Sequence, residues 1–237
     1  MTDQLTSRLA LPLLQAAQAQ KHVTVNESLA RLDGLVNLVL ISTSRSTPPA
    51  AVTDGTCFAV PTGAVASWAG HEGEIAIAAN GGWVFAEPQA GMHAFVVDTG
   101  MNAIHDGTTW VEGAASMAMN GSALLLRTAE ADVSIGAGTS VTTSLFIPNA
   151  AMVIGVAARV TETITGTLSS WQMGTAGALN RFGSGLGTQQ GSWARGMLSQ
   201  PLTYWQPEPV LLTATGGNFA SGRLSIAAHW FELSLPR

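Results

Sequence analysis

The clearest strand pattern in the chain is Ser225-Ile226-Ala227-Ala228-His229-Trp230-Phe231-Glu232-Leu233-Ser234-Leu235. Successive side chains of a strand point to opposite faces of the sheet. One face would therefore carry Ile226, Ala228, Trp230 and Glu232, and the other Ala227, His229, Phe231 and Leu233. Both faces are largely apolar, which predicts a strand in the centre of a sheet or at a subunit interface.

The region before this stretch repeats the pattern of short apolar runs between turn residues. Turn signals such as Gly136-Ala137-Gly138 and Pro148-Asn149 separate the runs at intervals typical of β-sandwiches. The runs are 124–126, 131–135, 141–147, 152–160, 170–173, 211–214 and 223–235. We therefore predict a mainly β chain in which residues 124–237 form an antiparallel, jelly-roll-like β-sandwich.

Residues 46–113 predict a small β domain with two similar hairpins. Asn80-Gly81-Gly82-Trp83-Val84 is echoed by Asp106-Gly107-Thr108-Thr109-Trp110-Val111, and each follows a short apolar run. Asn-Gly and Asp-Gly favour tight hairpin turns, so each hairpin would carry a Trp just after its turn. Residues 114–123 are small and uncharged, which is typical of either a linker or a tight oligomer seam.

Residues 1–45 contain an amphipathic helix pattern beginning near Asn26, where Asn26 or Thr24 would cap the helix. Its apolar stripe consists of Leu29, Leu32, Val36 and Val39, widened by Leu35 and Leu40. Gly34 within the stripe costs about 1 kcal/mol relative to Ala, which indicates that the helix needs a partner surface. That partner is either a second copy of the helix or the β domain of the same chain.

Composition excludes several classes of function. Only 11% of the residues are charged and the net charge is −5, so no basic surface for nucleic acid is expected. No run approaches the roughly 18 apolar residues of a membrane span, and we expect no membrane insertion. A single cysteine, Cys57, excludes a disulfide within the chain and a cysteine-based metal site. Low surface charge favours a homo-oligomer.

The sequence contains no recognisable catalytic pattern, so it predicts a protein that is not an enzyme and has no cofactor or metal. The five His residues lack paired-ligand spacing, and Gly183-Ser184-Gly185-Leu186-Gly187 does not match a nucleotide-binding loop. The acids Glu130, Asp132, Glu162, Glu208 and Glu232 are the only candidates for a polysaccharide hydrolase in the C-terminal region. Hydrolysis remains a third hypothesis behind two binding or structural ones.

Aromatic and planar polar side chains in the C-terminal region predict a carbohydrate site, since aromatic faces pack against sugar C–H groups beside hydrogen-bonding side chains. The alternative for any Trp is burial in the core, which the strand-like context favours for Trp171 and Trp230. The candidate glycan-binding residues are Trp193, Trp205, Tyr204, Arg181, Arg195 and Asn218.

The N-terminal sequence carries a distinctive run, Leu11-Pro-Leu-Leu-Gln-Ala-Ala-Gln-Ala-Gln-Lys-His-Val-Thr-Val-Asn-Glu27. With Leu32-Asp33, Trp68-Ala-Gly-His-Glu-Gly73 and Gly81-Gly82-Trp83, it resembles a family of uncharacterised proteins found in prophages and in gene transfer agents, the phage-like particles that package host DNA. The resemblance covers residues 9–112. It implies a head-spike or tail-fibre component and brings no established binding residues. It also makes the signal-like N-terminus an attachment or oligomerisation element, with no signal peptide expected.

The sequence thus predicts a spike or fibre subunit of a phage-like particle. Residues 1–45 would attach and associate, the small β domain would form a stalk or collar, and residues 124–237 would bind host surface polysaccharide. A homotrimer is expected, although a fivefold base would suit the same features. The partners would be other capsid, tail or spike proteins, and the particle would assemble in the cytoplasm and leave by lysis. The alternative is a structural adaptor that joins a separate receptor-binding fibre to the capsid or tail.

Overall fold

The structure is a computed structural model that describes residues 5–14 and 21–236. It divides into two compact units, one of residues up to Ala123 together with those from Leu235, and one of Leu124–Ser234. The first unit contains α1 (Lys21–Leu35), β1 (Val39–Leu40), β2 (Cys57–Ala59), β3 (Ile75–Ala79), β4 (Gly82–Ala86), β5 (His93–Val96), β6 (Met101–His105), β7 (Trp110–Glu112) and β8 (Ala114–Met117).

The first unit is built on a seven-stranded sheet with the order β4-β3-β2-β1-β5-β6-β7. The short central strand β1 pairs in parallel with β2 and β5, and the other neighbours are antiparallel. Helix α1 packs against β3 and β4. The helix, which the sequence assigned to a separate segment, therefore shares one unit with the predicted small β domain. The predicted linker 114–123 begins with strand β8.

The helix lies earlier in the chain than its apolar stripe predicts. Thr24 and Asn26, the predicted caps, lie inside α1, and the Asn26 side chain instead exchanges hydrogen bonds with the Leu14 backbone (2.8 and 3.0 Å). The helix ends at Leu35 because Asn37 adopts a left-handed conformation (φ 48°), and Val39 then enters β1. The prediction that Val36 and Val39 extend the helical stripe was wrong.

Arg8 explains why the helix can end there. Its guanidinium donates hydrogen bonds to the carbonyl oxygens of Asp33 (2.8 Å), Gly34 (2.7 Å) and Asn37 (2.9 Å). The last carbonyls of a helix have no partner within the helix, so an external cation at this point stabilises the terminus. The contacts that stabilise the helix end thus come from a residue 25 to 29 positions earlier in the sequence.

Gly34 shows which partner the helix has. A Cβ atom at this position would lie 2.8 Å from Ile77 Cγ2 in β3, so the missing side chain lets the helix approach the sheet closely. Of the two partners considered for the helix, the β domain of the same chain is the one seen here.

Both predicted hairpins are present, at opposite edges of the seven-stranded sheet. Asn80 and Gly81 have φ values of 51° and 74°, as a two-residue type I′ turn requires. In the second hairpin Asp106 Oδ1 accepts the N–H groups of Thr108 and Thr109, each at 2.8 Å. Trp83 joins an aromatic cluster with Phe58 and Trp68.

The second unit has eight strands, which pair with one another in antiparallel fashion. They are β9 (Ala123–Ile135), β10 (Ser140–Ile147), β11 (Met152–Gly166), β12 (Ser170–Thr175), β13 (Ala178–Leu186), β14 (Trp193–Thr203), β15 (Glu208–Thr215) and β16 (Phe219–Leu233). One sheet has the order β10-β15-β12-β13, and the other includes β14-β11-β16-β9. β16 lies between β11 and β9, which confirms the central position that its two apolar faces predict.

The strand pairs are nested: the first strand pairs with the last, the second with the second to last, and so on. β9 pairs with β16, β10 with β15, β11 with β14, and β12 with β13. Eight strands nested in this way across two sheets define a jelly roll, and inward side chains of both sheets form one hydrophobic core. The predicted mainly β fold with an N-terminal helix and antiparallel sheets is confirmed. Trp171 and Trp230 are buried, as their strand context predicts.

Two further features bear on function. No helix in the described residues is long and apolar enough to cross a membrane. Across the same residues, His, Cys, Asp and Glu side chains form no group of three or more that could hold a metal ion.

Candidate ligand-binding face of the C-terminal unit

The sheet β14-β11-β16-β9 has one face in the jelly-roll core and one face outside it, which we call the outer face. Along β16 the buried residues Leu224, Ile226 and Ala228 alternate with the more exposed Ser225, Ala227 and His229. The same alternation runs along β9 and the first half of β14. It follows from the two-residue period of a strand, so the strand register decides which outer side chains become neighbours.

The register brings two rows of outer side chains side by side. The first row is Trp193, Arg159, Ser225 and Asp132, and the second is Arg195, Ala157, Ala227 and Glu130, each in the order β14, β11, β16, β9. These eight residues form an open depression of about 610 Å³, which we call the polar groove. Each row takes one residue from each of four strands that are far apart in the sequence.

The polar groove has a floor of small side chains and two chemically different rims. Ala157 and Ala227 are adjacent in the centre, where short side chains leave the sheet uncovered. Trp193 at the β14 rim is 62% exposed, and the Arg195 guanidinium carbon lies 5.3 Å from the centre of its ring. This cation–π contact holds both side chains on one rim. Asp132 and Glu130 form the opposite rim.

Charged groups of the groove are available to a ligand. In the range 21–236, neither Arg159 nor Arg195 nor Glu130 has an ion-pair partner within 4 Å. Asp132 accepts a hydrogen bond from the Ser225 hydroxyl, which fixes one of its oxygens. Guanidinium groups only donate and carboxylates only accept hydrogen bonds. The groove therefore offers an aromatic stacking surface, donors beside it and acceptors across from it.

The outer face becomes apolar beyond the polar groove. His229 and Thr128 form the transition, joined by a hydrogen bond of 3.1 Å between Thr128 Oγ1 and His229 Nδ1. The exposed side chains beyond them, which we call the apolar half, are Leu124, Leu126, Met152, Ile154, Met197 and Leu233. A set of exposed apolar side chains of this size is typical of a surface that contacts another molecule.

Only two of the six predicted glycan-binding residues, Trp193 and Arg195, lie together in this groove. Tyr204 is 6% exposed and packs in the jelly-roll core, so its ring offers no face to a ligand. Burial raises the pKa of Tyr204, against the opposing effects of Thr175 and the Arg181 charge. Arg181 itself is half-buried, with its Nε enclosed. Neither residue belongs to an open site with Trp193.

Trp205 and Asn218 are exposed but lie in different loops. Trp205 lies between β14 and β15, and Asn218 between β15 and β16. The two loops are at opposite ends of β15, whose eight residues span about 25 Å. The six predicted residues therefore do not converge on one site.

Sequence reasoning missed Arg159, Ser225 and the alanine floor, and it assessed Glu130 and Asp132 only as acids for hydrolysis. Part of the sequence signal for the groove is local. Glu130 and Asp132 are two residues apart on one strand and therefore share a face, as do Ala157 and Arg159 on another. The rest depends on register between strands such as β9 and β16, where Asp132 pairs with Ser225. No local pattern contains that information.

The fold and the outer face define a class: a helix-and-sheet unit followed by a jelly-roll β-sandwich with an open polar groove. Comparison with known proteins adds a family similarity. Residues 25–111, all within the first unit, match the model of a family described as "Protein of unknown function (DUF2793)". No curated protein matches the chain. Among solved structures, a chain of the "Cyanophage Pam1 capsid asymmetric unit" is similar over 45% of this chain and 84% of that chain, with 21% identity and a TM-score of 0.35.

Proposed function

We propose that this protein is a structural subunit of a phage-like particle, either a head spike or a tail fibre, and that its jelly roll binds host surface polysaccharide. The observation that carries the binding role is the polar groove, with the exposed Trp193–Arg195 pair at its rim. The particle assignment rests on the resemblance of residues 9–112 to prophage and gene-transfer-agent proteins. Jelly rolls recur in both viral capsid and lectin domains, which is compatible with both parts of the proposal.

A polysaccharide suits this face better than a small molecule would. The groove is open and lies on a sheet, whereas small-molecule sites are concave and enclose most of the ligand. An exposed Trp ring packs against sugar C–H groups, and the surrounding Arg, Glu, Asp and Ser side chains match a ligand rich in hydroxyl groups. A rigid sheet also holds these groups in place without a cost for ordering loops.

The proposal includes binding without cleavage. Incubation of the full chain with a bound polysaccharide should release no reducing ends above the level of a heat-denatured control. Release that is lost on replacing Glu130 and Asp132 with Ala would instead identify a hydrolase.

The proposal also includes a homo-oligomer, which we expect to be a trimer. The apolar half gives the support, because a closed assembly would remove exposed Leu, Met and Ile side chains from water. Light scattering of the full chain at micromolar concentration should give about three times the chain mass. A monomer at that concentration would contradict this part of the proposal.

The experiment for binding uses the labelled full chain on a glycan array and in pull-downs with purified capsular polysaccharides. We expect selective retention of particular glycans, competed by the free polysaccharide. If no glycan on the array and no capsule from a susceptible host retains the chain, the binding role is wrong.

The second candidate is a structural adaptor that joins a separate receptor-binding fibre to the capsid or tail. The apolar half favours it, since exposed apolar side chains on a rigid sheet are also suited to contact with another particle protein. Electron microscopy of the parent particle labelled through this chain distinguishes the two roles. A label at the distal tip supports the spike or fibre, and a label at the base of another fibre supports the adaptor.

A further inference from the structure

We infer that the polar groove binds an uncharged polysaccharide as an internal segment of about three sugar rings lying across the strands. This rests on the proposed glycan-binding role and specifies its site, ligand class and orientation. The evidence is the arrangement of the two rows, the charge distribution within them and the alanine floor between the rims.

The direction of the ligand follows from the geometry of the sheet. Neighbouring strands are separated by about 4.8 Å, so the row from Trp193 to Asp132 spans about 14 Å, close to the length of three linked sugar rings. In this direction, each sugar ring would cover about one strand-to-strand spacing of the groove. Along the strands the groove is bounded on one side by the row of His229 and Thr128, which leads into the apolar half. On the other side it is bounded by Arg223 and Glu162, whose charges are paired with each other at 3.8 Å. A chain running across the strands therefore meets polar side chains over its whole length.

Side chains of both rows can contact a sugar ring directly. Arg195 packs against one face of the Trp193 ring, and the ring is nevertheless 62% exposed, which leaves its other face for a sugar. Arg159 lies next to Trp193 in the same row and can donate to ring or hydroxyl oxygens. Ala157 and Ala227 then allow the middle sugar to approach the sheet.

The ligand class follows from the charges. Two guanidinium groups, those of Arg159 and Arg195, face two carboxylates, those of Glu130 and Asp132, so the groove has no net formal charge. A polyanion would meet repulsion at the β9 rim, and a polycation would meet it near β14. An uncharged polysaccharide meets neither, and its hydroxyl groups can donate to the carboxylates and accept from the arginines.

The test measures the Kd of the full chain for the array-positive glycan. Trp193→Ala should raise the Kd about tenfold or more, as truncation of a central aromatic contact does. Ala227→Leu should do the same by filling the floor, although it removes no polar group. The matched controls are Trp205→Ala, an exposed Trp outside the groove, and Ala220→Leu, an exposed Ala on the same strand. Both controls should change the Kd by less than about twofold.

Salt dependence tests the ligand class separately. Because the ligand is uncharged, the Kd should change by less than about threefold between low salt and roughly 0.5 M NaCl. A Kd that rises by about a hundredfold over this range would identify a charged polysaccharide and overturn the inference about class.

The outcomes separate the inference from the function on which it rests. If the wild-type chain binds no glycan, the proposed function fails. If it binds glycan and neither Trp193→Ala nor Ala227→Leu weakens binding, the function stands and the site inferred here is wrong. Circular dichroism spectra matching the wild type would show that the variants are folded.

Discussion

Asp33 in the N-terminal unit and Asp132 in the C-terminal unit have different surroundings and contacts. Asp33 is 2% exposed, and its carboxylate accepts hydrogen bonds from Thr6 Oγ1 (2.7 Å), Arg8 N (3.0 Å) and Leu9 N (2.6 Å). Asp132 is exposed, and within the described residues its carboxylate accepts one hydrogen bond, from the Ser225 hydroxyl. The N-terminal unit uses this polar side chain to hold residues 5–14 against the end of α1, whereas the C-terminal unit displays it on a sheet surface.

The same contrast holds for the tryptophans. Trp68 in the N-terminal unit is completely buried against Phe58 and Trp83, at ring-centre distances of 5.2 and 5.1 Å. Trp193 is largely exposed beside Arg195. Residue type alone therefore says little about role. Burial and the partners supplied by the fold distinguish a side chain that stabilises the chain from one that is available to a ligand.

The largest expected effect comes from Trp68→Ala. Removal of a fully buried Trp from an aromatic cluster should lower the free energy of unfolding by about 3–5 kcal/mol. The matched variant Trp193→Ala should change it by less than about 0.5 kcal/mol. Urea denaturation followed by circular dichroism measures both, and similar losses in the two variants would remove the contrast between the units.

The next largest effect is expected for Asp33→Ala. The substitution leaves three hydrogen-bond donors without their acceptor, so we expect a loss of about 3 kcal/mol in the free energy of unfolding. Asp132→Ala is the matched control in the C-terminal unit and should cost less than about 0.5 kcal/mol. A loss below about 1 kcal/mol for Asp33→Ala would show that residues 5–14 contribute little to stability.

A pH effect is expected from Cys57, which lies beneath the end of α1. Burial raises the pKa of its thiol from 9.0 to about 11, with Arg8 opposing and Asp33 adding to the shift. The folded state holds the neutral thiol, so the unfolded chain ionises first as the pH rises. Stability is therefore unaffected by this group below pH 9 and falls between pH 9 and 11, by about 2–3 kcal/mol in total.

The measurement is the free energy of unfolding of the wild type and of Cys57→Ala across this range. Subtracting the two curves removes the titration of all other groups. Parallel curves between pH 9 and 11 would contradict the raised pKa.

The smallest effect is expected for Gly34→Ala. Alanine favours helix by about 1 kcal/mol over glycine, but its Cβ would lie 2.8 Å from Ile77 Cγ2. Overpacking of this kind costs about 1–3 kcal/mol, so we expect a net loss of about 1 kcal/mol. Gly136→Ala in the C-terminal unit, where the new Cβ meets nothing within 4 Å, should be neutral. A stabilised Gly34→Ala variant would contradict the close approach of the helix to the sheet.

The parts of the fold that could be predicted from the sequence depend on local chemistry. Alternation along Ser225–Leu233 predicts the central strand β16, and Asn80-Gly81 predicts a type I′ hairpin from the backbone preferences of two residues. The end of α1 could not be predicted in this way. It depends on Arg8, which reaches the helix carbonyls from outside the helix.

The candidate site shows the same limit. Trp193 and Arg195 are close in the sequence and could be proposed together. The burial of Tyr204 could not be read from the local sequence. Its carbonyl oxygen accepts a hydrogen bond from Ala150 N (2.7 Å) and its N–H donates to Ala151 O (3.0 Å), just before β11, and its ring is buried. The remaining groove residues come together only through the register of four strands.

The central claim is that the outer face of the jelly roll is where a polysaccharide binds. A crystal structure of the full chain with an oligosaccharide chosen from the array tests it most directly. The account predicts a sugar ring packed on Trp193, with hydroxyl groups bonded to Arg159 and to the carboxylates of Glu130 or Asp132. A sugar bound instead in the loops of Trp205 or Asn218, or on the N-terminal unit, would contradict it.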